Sequence, residues 1–131
     1  MMTDPIADFL TRIRNTYAVK KEEVCIPYSR VKFELAELMR SLGYLGEVKK
    51  IEENKRPCLL LRLKYDSNNR PAIHHLERMS KPGRRVYLKK DALPKILNGY
   101  GIAIISTSHG IMTNIEAKKR ALGGELICEI Y

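Results

Sequence analysis

The sequence predicts an α+β fold in two small lobes, and three observations carry that prediction. The first half of the chain alternates two amphipathic helical patterns with three strand-like runs, in the order α-β-α-β-β. Residues 66–71 are polar and rich in turn-forming residues, so they mark the boundary between an N-terminal α/β lobe (residues 1–66) and a C-terminal lobe (residues 67–131). The second half contains short strand-like runs and brief helical patterns, which are typical of an antiparallel β-sheet with short helices.

Two helices are expected in the N-terminal lobe. Asp4 is a suitable cap for the first helix and Pro5 suits its first position. One apolar stripe then follows at helical spacing: Ile6, Phe9, Leu10, Ile13 and Tyr17. Ser29 is expected to cap the second helix and Gly43 to end it. The second helix should bury its own stripe: Val31, Leu35, Leu38 and Leu42.

Three strands complete this lobe. Residues 24–27 form a short strand-like run, and residues 44–52 and 58–65 form two longer ones. Residues 54–57 between the longer runs are typical of a hairpin turn. Leu59, Leu61, Leu63 and Tyr65 recur at every second position, so they should share one face of the sheet.

The C-terminal lobe is predicted from shorter patterns. Strands are expected at residues 73–78, 85–88, 102–105 and 125–131, with a turn containing Pro82 and Gly83 and a brief helix between Asp91 and Asn98. Thr113 and Glu116 have the spacing of a capping box, which predicts a helix over residues 114–122. Gly123 and Gly124 should end that helix, and their lack of a side chain would let the chain pass close to its neighbours.

Charge and composition limit the function classes. The chain of 131 residues carries 24 Lys and Arg against 15 Asp and Glu, a net charge of +9. Residues 67–131 hold 11 basic and 5 acidic residues, a net of +6, so the second lobe is the more cationic one. A small protein this basic usually has a polyanionic partner.

Other classes lack support in the sequence. No apolar window approaches the ~20 residues that span a bilayer, and the N-terminus lacks a signal pattern, so we expect a cytoplasmic protein without a membrane partner. Cys25, Cys58 and Cys128 are odd in number and far apart, so reduced core thiols are expected and zinc is unsupported. We predict neither a cofactor nor a bound metal.

A cluster of hydroxyls follows the apolar run Ile102 to Ile105: Ser106, Thr107 and Ser108. A nucleophile elbow needs Gly-x-Ser-x-Gly, and the first glycine is missing before Ser108. His109 would point to the opposite face of an extended strand, so it is badly placed as a base. We therefore expect no enzyme and no small-molecule substrate. Two roles remain possible for the three hydroxyl residues. They are either turn and cap residues, or hydrogen-bonding contacts to phosphate, ribose or base edges.

A basic stretch lies upstream of that cluster. Residues 78–90 contain six Lys or Arg and no acidic residue. On a strand, Arg85, Tyr87 and Lys89 share one face, and cations flanking an aromatic ring are typical of a nucleic-acid surface, where charge holds phosphates and the ring packs on a sugar or base. A merely solvated charged face is the alternative. Together the two features favour an RNA binder, with a small hydrolase and a non-ribosomal RNA or DNA regulator as the other hypotheses.

The same residues carry a resemblance to a known family. The matching segments are SKPGRRVY at 80–87, GYGIAIISTSHGIMT at 99–113, EAKK at 116–119, GGE at 123–125, DPIADFLTRIRN at 4–15 and IPYSRVK at 26–32. In this order they resemble bacterial small-subunit ribosomal protein eight, over essentially the whole chain.

The resemblance implies a function and a cellular location. It implies a structural constituent of the small ribosomal subunit in the cytoplasm, which binds an irregular stem in the central domain of 16S rRNA as a primary binder. Such a protein helps assemble the platform of the subunit. Its expected neighbours are ribosomal proteins five and twelve. Some members repress their own operon through a similar stem in mRNA.

The resemblance also implies site residues, all of them RNA contacts. The loop of Ser106, Thr107, Ser108 and Gly110 would meet the irregular core of the stem, and Glu125 would support that loop or contact a base. Tyr87 would lie against the RNA, with Arg84 and Arg85 holding its backbone. In the N-terminal lobe Thr3, Arg12 and Arg14 are the candidates for secondary contacts.

Three positions depart from the family pattern. His109 stands where Lys is frequent, Lys118 where Arg is common, and Tyr131 where many members have Trp. None of the three belongs to the hydroxyl cluster, so they leave the assignment unchanged.

Overall fold

A computed structural model describes residues 4–80, 83–89 and 101–131 of the chain. They form two compact units, one of Pro5–Ile73 and one of His74–Tyr131 together with Asp4. Both units combine helices with antiparallel sheets, which confirms the predicted α+β class and the two lobes. The predicted domain boundary between residues 66 and 67 stays a prediction.

The N-terminal unit has the predicted order α-β-α-β-β. Its elements are α1 (Pro5–Ala18), β1 (Glu23–Pro27), α2 (Arg30–Ser41), β2 (Leu45–Glu53) and β3 (Arg56–Leu63). The three strands form one antiparallel sheet in the order β1-β3-β2. Leu59, Leu61 and Leu63 are buried on one face of β3, as their alternation predicted.

The stripe predicted for α1 is confirmed. Phe9, Leu10, Ile13 and Tyr17 are buried, and α1 packs against β1 and α2. The Tyr17 hydroxyl is satisfied on both sides: it donates to the Tyr44 carbonyl at 2.7 Å and accepts from the Lys64 N–H at 3.1 Å. A buried hydroxyl with both roles filled fixes α1 against the chain that follows β3.

The stripe predicted for α2 is wrong in part. Ser29 does cap the helix, since its side chain accepts from the Lys32 N–H at 3.2 Å. The buried face, however, consists of Lys32, Leu35, Ala36 and Met39, and Val31 is 41% exposed. A Lys can occupy such a face because its aliphatic stem is apolar, while its ammonium group donates to the Pro27 carbonyl at 3.4 Å.

Gly43 ends α2 as predicted. Its φ is +85°, and the N–H groups of Gly43 and Tyr44 donate to the carbonyls of Arg40 and Met39 at 3.0 and 2.9 Å. These two bonds form a Schellman motif, in which a left-handed residue satisfies the last carbonyls of a helix.

The C-terminal unit contains a five-stranded antiparallel sheet and one described helix. Its elements are β4 (Leu76–Arg78), β5 (Tyr87–Leu88), β6 (Ile102–Thr107), β7 (Gly110–Thr113), α3 (Asn114–Lys119) and β8 (Gly124–Ile130). The strand order is β4-β8-β6-β7, and β5 pairs with the first residues of β8. The helix predicted between Asp91 and Asn98 lies outside the described residues.

The apolar core of this sheet lies directly below its polar end. Ala103, Ile105 and Leu126 are buried there, and four half-buried side chains pack against them: Met79, Val86, Leu88 and Tyr131. Residues 104 and 105 of β6 face residues 128 and 126 of β8, so Ile127 is the extra residue of a β-bulge. A bulge re-aims the strand that carries it, here two residues after Glu125 at the polar end of β8.

Helix α3 begins as predicted but ends earlier. Thr113 caps it by accepting from the Glu116 N–H at 3.1 Å. Ala121 then takes a positive φ of +56°, and the N–H groups of Ala121 and Leu122 donate to Lys118 and Ala117. The helix therefore stops at Lys119 rather than Leu122, because Ala121 takes the left-handed role that was expected of the glycines.

Candidate nucleic-acid interface

A row of polar side chains crosses three strands at one end of the C-terminal sheet. Tyr87 on β5 pairs with Glu125 on β8, and Glu125 pairs with Ser106 on β6. Residues directly opposite each other in an antiparallel sheet have their side chains on the same face. We call Tyr87, Glu125 and Ser106 the polar row. The backbone ladder, rather than a flexible loop, sets the spacing of its members.

The exposure of the row suits a contact surface. The Tyr87 residue is 69% exposed, whereas the Glu125 side chain is only 14% exposed and Ser106 is half-buried. The aromatic ring therefore projects while the carboxylate and the hydroxyl lie lower. A ligand that packs on the ring would bring its polar edge towards the other two.

Glu125 is held by an ion pair. Its carboxylate accepts from the Arg85 guanidinium at 3.0 Å, and this partner raises the pKa of Arg85 above its usual value. The guanidinium therefore stays charged, and its side chain is still 48% exposed. Arg85 thus neutralises the Glu125 carboxylate of the polar row while keeping other N–H donors open to a ligand.

Ser80 fixes the segment that carries Arg85 and Tyr87. Its fully buried hydroxyl accepts from the Val86 N–H at 2.9 Å and lies 3.3 Å from the Val86 carbonyl. Leu126 completes the arrangement, because its carbonyl accepts from the Ser80 N–H and its N–H donates to the Val86 carbonyl. Arg85 and Tyr87, which flank Val86, are therefore held at a fixed position along β8.

The other predicted hydroxyls lie in the turn between β6 and β7. The Thr107 hydroxyl donates to the Gly110 carbonyl at 2.8 Å and accepts from the His109 N–H at 3.1 Å. Its hydrogen-bonding capacity is largely used inside its own turn, so Thr107 shapes the loop. Ser108 and His109 form the exposed tip, and Gly110 has a φ of +112° that only glycine adopts without strain.

Ser106 and Ser108 differ from Thr107 in this respect. Within the parts of the chain that the structure describes, neither serine hydroxyl enters a side-chain hydrogen bond. Both are therefore available to an incoming acceptor or donor. The three hydroxyls thus divide into one that shapes the turn and two that are presented.

Gly124 lets β8 approach the row closely. A Cβ atom on Gly124 would overlap the Ser106 carbonyl oxygen and crowd the Ile105 side chain. The sequence prediction that a glycine here lets the chain pass close to the hydroxyls is confirmed. Any side chain at this position would push β8 away from β6 at the level of Ser106.

Helix α3 places more cations near the hydroxyl strand. It packs against β6 and β7, and the Asn114 side chain accepts from the buried Ala103 N–H at 3.1 Å. Lys118 and Lys119 are exposed in its last turn, and Arg120 pairs with Glu116 at 2.8 Å. The helix that packs on β6, the strand of Ser106, therefore carries two exposed ammonium groups.

The structure brings together some predicted site residues and not others. Arg84 is exposed beside Arg85 on the segment that Ser80 anchors. Arg12 and Arg14 lie on α1 in the other unit, where Arg12 pairs with Asp8 at 3.3 Å and Arg14 donates to the Thr11 hydroxyl at 3.1 Å. Thr3 lies outside the described residues.

The three departures from the family pattern have different surroundings. His109 and Lys118 are exposed, at the turn tip and on α3. The Tyr131 ring is half-buried and stacks on the His75 ring at a centroid distance of 4.5 Å. A change at residue 131 therefore concerns packing, whereas changes at the other two concern surface charge.

Sequence reasoning left Ser80 out of the site. It occurs in the SKPGRRVY segment, but a lone serine before a turn does not indicate which backbone groups it binds. Its role depends on the pairing of β5 with β8, which is a non-local contact. A serine seven residues before the aromatic Tyr87 was the only local signal in the sequence.

The chain is similar to known proteins over essentially its whole length. The pattern of one family, described as Ribosomal protein S8, matches residues 4–131. A small ribosomal subunit protein uS8 from Clostridium beijerinckii is 51% identical over 131 residues, covering 100% of this chain and 99% of the relative. Its counterpart from Moorella thermoacetica is 52% identical over 130 residues, covering 99% and 100%. The similarity extends through both units.

Proposed function

Because this chain belongs to the ribosomal protein S8 family, we propose that it is a primary 16S rRNA-binding protein of the small ribosomal subunit in the cytoplasm. It binds an irregular stem in the central domain and helps assemble the platform of the subunit. Family membership also makes the chain a structural ribosomal protein rather than an enzyme, as the sequence predicted.

The observation that carries the proposal is the polar row beside a cationic segment. Tyr87, Glu125 and Ser106 lie on paired strands, so their spacing is set before any RNA arrives. A preformed surface binds with little loss of conformational entropy. Regular A-form RNA exposes few base edges, so a rigid surface of this kind favours a stem with unpaired or displaced bases.

In this proposal some site residues contact the RNA and others hold the contacting residues in place. Tyr87 packs on a base or sugar, while Ser106, Ser108 and the backbone at Gly110 make short-range hydrogen bonds to the irregular core. Thr107 holds the turn in shape, and Glu125 orients Arg85 and supports the row. Arg84 and Arg85 hold phosphates, so they supply affinity that depends on salt.

The N-terminal unit contributes less in this account. Arg12 and Arg14, with Thr3, make secondary contacts to the RNA backbone. The Asp8 partner of Arg12 reduces its net attraction for phosphate, since opposite charges at 3.3 Å partly cancel at a distance.

The proposal extends to protein partners and to regulation. Ribosomal proteins five and twelve are the neighbours of the chain in the small subunit. The chain also represses its own operon by binding an mRNA stem of the same shape.

Two measurements test the proposal. The full chain is titrated against the irregular 16S stem and against a fully paired stem of equal length, at several salt concentrations. A preference for the irregular stem that persists at high salt supports it, and equal binding that disappears with salt overturns it. Co-sedimentation with small subunits separates the ribosomal function from that of a non-ribosomal regulator, which would not sediment with them.

A further inference from the structure

Three metal-binding side chains meet on the sheet of the N-terminal unit. Cys25 lies on β1, Glu53 is the last residue of β2 and Cys58 lies on β3. Their sulfur and carboxylate oxygen atoms all lie within 4.8 Å of one another. The Cys25 thiol already donates to the Glu53 carboxylate at 3.3 Å. We call these three residues the thiol cluster.

Strand register creates this cluster. Cys25 faces Leu60 and Cys58 faces Pro27, so the two cysteines are diagonal neighbours on one face of β1 and β3. That face is opposite to the one on which Leu59 and Leu61 are buried. The cysteines are 33 positions apart in the chain, which is why their sequence spacing gave no sign of a metal site.

An ion can reach the cluster. Both cysteines are half-buried and Glu53 is exposed. A groove lined by Pro27, Glu53, Arg56 and Cys58 opens beside them. The ligand atoms are therefore partly shielded yet connected to solvent, as an open metal site requires.

The geometry favours a shared ion over a disulfide. Diagonal neighbours in an antiparallel sheet have Cα atoms about 7–8 Å apart. A disulfide usually spans about 4.4–6.8 Å between Cα atoms, so this pair would have to distort the sheet. Two thiolates around a tetrahedral zinc ion, by contrast, sit about 3.7 Å apart, given a Zn–S length of about 2.3 Å. Small side-chain rotations bring the observed atoms to that spacing.

The donors of the cluster also suit a cation. The Cys25 thiol and the Glu53 carboxylate lie 3.3 Å apart, with the Cys58 sulfur within 4.8 Å of both. A divalent cation among them would attract the thiolates and the carboxylate, and the thiol protons would pass to water as the ion binds.

We propose that Cys25, Cys58 and Glu53 form a binding site for a borderline-soft divalent cation, Zn²⁺ by chemical preference, with water as the fourth ligand. Two thiolates select zinc over magnesium or calcium, which prefer oxygen ligands. The ion would join all three strands of the sheet. None of the three ligands is among the residues proposed to contact RNA.

Cobalt binding tests the proposal directly. The reduced full-length chain is titrated with Co²⁺, whose thiolate charge-transfer absorption reports sulfur ligation. We expect one equivalent to develop that absorption and Zn²⁺ to abolish it. The Cys25→Ser and Cys58→Ser variants should lose the absorption. Glu53→Gln removes a ligand, so it should weaken binding at least about tenfold, the smallest effect typical of groups that only support the ligands. Glu52→Gln, the neighbouring carboxylate, is the matched control and should bind normally.

Other binding modes give different results. A second group of ligands, His75, Glu77 and Glu129, contains no thiol, so cobalt bound there would lack the charge-transfer absorption. Circular dichroism checks that each variant folds. The proposal is overturned if the wild-type chain shows no thiolate absorption, or if that absorption survives in both serine variants while Cys128→Ala removes it.

Discussion

Two hairpin turns among the described residues, one in each unit, reverse the chain in different ways. Between β2 and β3, Asn54 and Lys55 both adopt positive φ, at +50° and +64°. Between β6 and β7, the positive φ falls on Gly110 alone, and the Thr107 hydroxyl makes two hydrogen bonds inside the turn. In the first turn the strained, positive φ values fall on the two exposed turn residues. The second keeps Ser108 and His109 in ordinary conformations and presents their side chains.

The difference teaches how a turn becomes a binding element. A hairpin needs only a backbone that matches the twist of its strands, and the first turn meets that need. The second turn adds a side-chain lock and a glycine, and β8 approaches it through a second glycine. The side-chain bonds and the glycines shape the turn, and they also fix the positions of the hydroxyls. The following changes test that difference, from the largest expected effect to the smallest.

Gly124→Ala should have the largest effect. Its Cβ atom would overlap the Ser106 carbonyl, so β8 must move, and we expect a loss of about 3 kcal/mol in the free energy of unfolding. The affinity for the irregular RNA stem should fall as well. Gly46→Ala is the control, since its Cβ would lie 3.1 Å from the Arg62 carbonyl, a tight contact without overlap, so its loss should be smaller. Equal losses in urea unfolding of the two variants would refute a special role for Gly124.

Gly110→Ala should destabilise the chain by about 1–2 kcal/mol, the usual cost of a positive φ for a residue with a side chain. No atom lies within 4 Å of an added Cβ at this position, so the cost is conformational and not steric. Thermal unfolding measures it. A variant as stable as the wild type would show that the turn can relax to another conformation, and the proposed lock would be wrong.

Ser108→Ala should change RNA recognition and leave stability unaltered. The hydroxyl is exposed at the tip of the turn, so unfolding should shift by less than about 0.5 kcal/mol. Affinity for the irregular stem should fall about fivefold to thirtyfold, as expected for one or two lost hydrogen bonds. Ser67→Ala, another exposed serine, is the control. Unchanged affinity would exclude Ser108 from the interface.

Alanine substitutions at Arg84 and Arg85 should affect RNA binding in different ways. Arg84→Ala should reduce the slope of log affinity against log salt by about 0.7–0.9, the value for one phosphate contact. Arg85→Ala should weaken binding further, because it leaves the Glu125 carboxylate facing a polyanion without its partner. The double variant Arg85→Ala/Glu125→Gln should recover part of that loss. If it recovers none, Glu125 does not act through charge.

Lys55→Gly should have the smallest effect, and in the stabilising direction. Lys55 adopts a φ of +64°, where glycine is unstrained, and Asn-Gly is the preferred pair for this turn. We expect a gain of about 0.5–1 kcal/mol in unfolding free energy with RNA binding unchanged. Altered RNA affinity would mean that the first turn also contacts the ligand, and the contrast between the two turns would fail.

Local patterns were sufficient for much of the fold. The stripe on α1, the caps of α2 and α3, and the alternation in β3 all depend on neighbouring residues, and all were predicted. The face of α2 was mispredicted because the pattern treats Lys32 as polar throughout, whereas its stem is apolar. The end of α3 was missed because Ala121 adopts a conformation that composition assigns to glycine.

The site was predictable in its residue types but not in its arrangement. Hydroxyls after an apolar strand and a basic stretch with an aromatic are visible in one sequence. The pairing of Tyr87, Glu125 and Ser106 is a matter of strand register, which no local pattern determines. The thiol cluster and the Ser80 bonds were missed for the same reason. Contacts between residues far apart in the chain could therefore not be predicted from the single sequence.

The central claim is that cations supply affinity and the rigid hydroxyls supply discrimination. The most direct test is the ratio of affinities for the irregular and fully paired stems, measured across a salt series for the wild type, Ser108→Ala and Arg84→Ala. We predict that the ratio falls in Ser108→Ala at every salt concentration and stays at the wild-type value in Arg84→Ala. A ratio that is unchanged in the serine variant, or that falls in the arginine variant instead, would contradict the account.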